Sequence, residues 1–85
     1  MRLNQRIVER LLALNEGFEE TTHYRSKNFT ESRMYRIVDG VLHYRCVGNT
    51  SRADSRFDKP YVADAEQTRR FLRSVLGKLR TDGLD

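Results

Sequence analysis

The sequence predicts a small α+β domain in which two helices pack on one face of an antiparallel sheet, in the order α-β-β-β-α. Three observations predict it. Apolar residues recur at helical spacing near each end of the chain. Between them, two β-rich runs flank an Asp-Gly pair, which marks a tight hairpin. The 85 residues, 38% of them apolar, are enough for one core and one domain, 1–85, without a second.

Residues 3–18 read as the first helix, with Leu3, Ile7, Leu11, Leu14 and Phe18 as its apolar stripe. Asn4 suits its N-cap and Gly17 its C-terminal end. Glu16, Glu19 and Glu20 follow at the end where negative charge is unfavourable, so a basic contact is expected for them. Thr21, Thr22 and Tyr24 point to a short strand at 21–25, and 26–32 (SKNFTES) to a loop.

Residues 33–47 give the clearest signal: RMYRIV, Asp39-Gly40, then VLHYRCV. A two-residue turn sets Val38 opposite Val41, Ile37 opposite Leu42, Arg36 opposite His43, Tyr35 opposite Tyr44 and Met34 opposite Arg45. Alternation then places Tyr35, Ile37, Leu42, Tyr44 and Cys46 on one face, expected to pack on the helices. Met34, Arg36, Val38, Val41, His43 and Arg45 fall on the other, which is expected to be open.

Residues 48–60 are polar and read as a long loop, with a further edge strand allowed near Phe57 or Tyr61-Val62 because Pro60 suits an edge. Residues 64–80 form the second helix: Asp64 with Gln67 makes a capping box, and Phe71, Leu72, Val75, Leu76 and Leu79 the stripe. The tail 81–85 is expected to fray. This element order is shared with double-stranded-RNA-binding domains. The second helix opens DAEQTRR, without the lysine cluster by which such domains grip phosphate, so no family is assigned.

The formal charge is +4. The excess lies in the middle and C-terminal parts: residues 21–58 hold seven Lys/Arg against four Asp/Glu, and residues 59–85 six against four. Such a surface suits a polyanion and also serves plain solubility. One cysteine allows no internal disulfide, and no apolar run is long enough to span a bilayer. The expected setting is cytoplasmic, away from membranes.

Enzymatic motifs are thin. His43 and Cys46 sit three apart on a strand and point to opposite faces, and the chain has too few thiols and imidazoles for a structural zinc site. No Gly-rich phosphate loop or cofactor motif occurs. His23 and His43 would serve a metal-free ribonuclease only if the sheet brought them together. The expectation is therefore a binding module without cofactor or metal. Nucleic acid is the first choice of partner, held by Arg36, His43 and Arg45 on the sheet, Arg52 and Arg56 on the loop, and Arg69 and Arg73 on the second helix. A protein-interaction module (inhibitor, adaptor, assembly subunit or homodimer) is the alternative, and a small ribonuclease the third reading.

Overall fold

Asp39 and Gly40 both take positive φ, 52° and 73°, the conformation of a type I′ turn whose twist matches the strands it joins. The register follows as expected, from Val38 opposite Val41 down to Met34 opposite Arg45. A computed structural model describes residues 2–50 and 55–84. The elements are α1 (Gln5–Leu14), β1 (Glu19–Ser26), β2 (Phe29–Val38), β3 (Val41–Thr50), β4 (Ser55–Val62) and α2 (Ala65–Ser74), then a short 3-10 turn at Leu76–Lys78. The strands form an antiparallel meander, β1-β2-β3-β4.

The sheet has four strands, one more than the expected three. Residues 26–32 are not a loop: Ser26 pairs with Phe29 around a Lys27-Asn28 turn, and β2 begins there. Of the expected loop 48–60, residues 48–50 and 55–60 are strand, because β3 runs on to Thr50 and β4 pairs with it, and 51–54 lie outside the described residues. Both stretches look polar because each lies beyond the helices, where alternate residues need not be apolar. Pro60 does sit on an edge strand, as expected.

The helices are shorter than the apolar stripes suggest. Asn4 caps α1, its side chain accepting from the Ile7 N–H at 2.9 Å, and Asp64 with Gln67 closes a reciprocal capping box on α2. Gly17, at φ 83°, turns the chain into the sheet and donates its N–H to the Ile37 carbonyl at 2.8 Å. α2 ends at Ser74, and buried Asn15 holds the chain beyond the following 3-10 turn. Its amide donates to the Arg80 carbonyl at 3.0 Å and accepts from the Arg80 N–H at 2.8 Å. Leu84, within the stretch expected to fray, is packed in the core.

That core joins Leu3, Val8, Leu11 and Leu12 of the N-terminal helical region to Ile37 and Leu42 of the sheet and Phe71, Leu72 and Val75 of the C-terminal one. Leu11, Ile37, Leu42 and Leu72 are fully buried. Cys46 is buried as expected, though outside this cluster. The acidic residues after α1 find partners. Glu16 accepts from the turn amides of Asp39 and Gly40 at 2.7 and 3.1 Å, Glu19 meets Arg36 at 3.3 Å, and Glu20 meets Lys78 at 2.5 Å.

The helices cover one end of one sheet face only. The described residues extend 49 × 22 × 18 Å, and the far half of the sheet projects bare.

Candidate nucleic-acid interface

Rows of side chains across the helix-bearing face follow from the strand registers. Next to the helices lies Glu20–Tyr35–Tyr44–Tyr61, then Thr22–Arg33–Cys46–Lys59, then Tyr24–Glu31–Gly48–Phe57. Tyr35, Tyr44 and Tyr61 form an unbroken aromatic ladder, with ring centroids 5.4 and 5.1 Å apart, and Phe71 of α2 stacks on Tyr35 at 4.4 Å. The ladder therefore starts under the helix and emerges at Tyr61, which is 43% exposed.

A second aromatic group lies about 14 Å further along, four residues of extended chain. Phe29 meets Tyr24 at 6.1 Å and stacks on Phe57 at 5.8 Å. Gly48 is what lets Phe57 reach across β3. A Cβ there would collide with the Phe57 ring and the Thr30 carbonyl. Tyr24 is 60% exposed, the ring most open to solvent in this group.

The row between the two aromatic groups is polar. Arg33 pairs with Glu31 at 2.6 Å, and this hydrogen bond, aided by Tyr35, holds its guanidinium pKa above the ordinary value. Cys46 lies beneath them; burial, then a hydrogen bond with Glu31, raises its thiol above the usual range. The thiol stays protonated and is a poor nucleophile at neutral pH. Lys59 is exposed and has no ion-pair partner among the described residues, and the same holds for Arg25, Lys27 and Arg56 around this end of the sheet.

The opposite face is the one expected to bind. Arg36, His43 and Arg45 do come together there, around a shallow depression shared with Glu19, Thr21, Met34 and Pro60. Its arginines are answered within the chain: Arg36 by Glu19, and Arg45 by Asp58 through both guanidinium arms. The Arg45 hydrogen bond in turn holds the Asp58 carboxyl below the usual carboxylate range. Arg56 belongs to β4 rather than to a loop, two rows beyond Arg45 on this face. Arg52 lies outside the described residues. Arg69 and Arg73 are on α2, which packs against the other side of the sheet, so they do not join Arg36 and Arg45 in one surface. Sequence reasoning missed the bare aromatic end because Phe29 and Phe57 fell in stretches read as loops.

His23 shares a face with His43 but pairs with Ser32, its Nδ1 2.9 Å from the Ser32 hydroxyl. Two strands and two rows separate the imidazoles, about 16 Å at sheet spacings, too far for a shared acid–base step. Among the described residues no cluster of His, Cys, Asp or Glu is arranged to hold a metal, and no helix is long and apolar enough to cross a membrane.

Comparison of the chain with family models, with curated proteins and with solved structures gives no match.

Proposed function

We propose that the protein binds nucleic acid in single-stranded form on the bare end of its helix-bearing sheet face. The observation that carries this reading is the Tyr24–Phe29–Phe57 group, left uncovered beside Lys59. A flat platform of rings accepts bases of any sequence by stacking, and unpaired cations alongside hold the phosphates. The reading keeps the polyanionic partner expected from the charge pattern. It moves the contact from Arg36 and Arg45, whose charge is already answered, to Lys59 on the helix-bearing face and Lys27 in the turn at its bare end.

Fluorescence anisotropy with labelled single-stranded DNA and RNA tests it. Binding at low salt should weaken steeply as salt rises, because neutralised phosphates release counterions. Tyr24→Ala, at a site 60% exposed, should weaken binding by roughly five- to a hundred-fold with little effect on folding. Lys59→Glu should do so too, while Arg36→Glu should act weakly. Absence of binding at low salt, or binding indifferent to both Tyr24→Ala and Lys59→Glu, would sink the reading.

A protein-interaction role is the second reading. It is favoured by Met34, Val41 and Val62 on the open face, which are 38%, 39% and 62% exposed. Apolar residues beside internally neutralised arginines suit a protein surface better than a phosphate backbone.

A further inference from the structure

The two edges of the sheet are not alike. In an antiparallel ladder, hydrogen-bonded residues alternate with residues whose N–H and C=O point away from the partner strand. The Ile37 N–H donates to the Phe18 carbonyl at 3.1 Å, which sets that alternation for β1. Glu20, Thr22, Tyr24 and Ser26 bond inward to β2, so Glu19, Thr21, His23 and Arg25 turn their backbone groups outward. No other group of the described chain bonds them. Every residue of β1 except Glu20 is exposed, and the strand contains no proline, lysine or bulge. On β4 the equivalent outward position is Pro60, which has no N–H to offer, flanked by Asp58. One edge is blocked in the way natural sheets block edges, and the other is left as an open template.

We propose that a second copy of this chain adds to the β1 edge, antiparallel, joining two sheets into one about a two-fold axis. The symmetry restricts the register. Opposed residues in a continuous sheet share a face, so a two-fold perpendicular to it must pass through a residue rather than between two. The axis passes at Thr22. There Glu19 stands opposite the partner's Arg25, and Thr21 opposite the partner's His23. The outward backbone groups of all four positions are then satisfied. Centring on Thr21 would set Glu19 against the partner's His23, and centring on His23 would set Thr21 against the partner's Arg25. Either shift gives up the charge pairing that the Thr22 register makes twice. Arg25 has no ion-pair partner within the described chain, and Glu19, 65% exposed at its side chain, is free to bridge Arg36 and the incoming arginine. This register also runs the Thr22–Arg33–Cys46–Lys59 row of one copy directly into the same row of the other.

The proposal does not depend on what the helix-bearing face binds, and sedimentation of the full chain without nucleic acid tests it. A reversible dimer should appear as concentration rises through the micromolar range. Because the His23 backbone N–H bonds nothing within the described chain, His23→Pro should leave a folded protein, judged by circular dichroism, that sediments as a monomer. Arg25→Glu should raise the dissociation constant about ten-fold or more, and Glu19→Arg/Arg25→Glu should restore it. In a Cys46→Ser background, Thr22→Cys should form a disulfide across the axis, whereas Thr21→Cys should not. A wild-type chain that stays monomeric at every concentration would overturn the proposal. So would a dimer that persists at full strength in Arg25→Glu and fails to cross-link through Thr22→Cys, whatever becomes of His23→Pro.

Discussion

The two ends of the sheet are built from the same strands and held by different physics. At the covered end, Ile37 and Leu42 are buried beneath Leu11, Phe71 and Leu72, and apolar burial supplies the stability. At the bare end, rings stack on one another in the open, and ion pairs such as Arg33–Glu31 and Arg45–Asp58 replace the core. Exposed pairs of this kind contribute little to folding. The bare end is therefore an extension that the covered end must support. It holds exposed aromatic and basic groups where folding alone would not favour them, which is the reason to read function there.

Substitutions should separate the ends. Leu72→Ala, in the fully buried centre, is expected to cost roughly 2–5 kcal/mol by thermal or urea unfolding, enough in so small a domain to threaten folding. Tyr24→Ala should cost well under that. Equal losses at the two sites would break the comparison.

Gly48→Ala probes the bare end's own packing. The added Cβ collides with the Phe57 ring and the Thr30 carbonyl, so a loss of about 1–3 kcal/mol is expected, with altered near-ultraviolet aromatic signals. Gly77→Ala is the control. Nothing lies within 4 Å of a Cβ there, and its effect should stay within about 0.5 kcal/mol.

Glu16→Ala removes the acceptor for two turn amides at the covered end and should cost about 0.5–1.5 kcal/mol, mostly as faster unfolding of the hairpin region by hydrogen exchange.

The smallest expected effect is a pH dependence. Asp58 titrates below its ordinary range when folded because Arg45 binds the ionised form. Its contribution is complete above the unfolded carboxylate pKa and is lost as pH falls through the folded one. A slight acid-side loss of stability should follow, and Asp58→Asn should flatten it. An unchanged profile in that variant would show that the pair adds nothing to folding.

By itself the sequence determined the α+β class, both helix caps, and the Asp39-Gly40 hairpin with its register and faces. Each rests on interactions within a few residues: a side chain capping its own helix, or a turn whose φ values few residue pairs accept. Tertiary structure alone decided the extent of the elements. Residues 26, 29–32, 48–50 and 55–60 are strand because neighbouring strands offer them partners, which no local window reveals. Asn15 anchors Arg80, 65 residues away in the chain, and Phe57 joined Phe29 only because Gly48 left room between them. The candidate site moved for the same reason. Charge is visible in a sequence, but whether an arginine is already answered depends on which carboxylate the fold sets beside it.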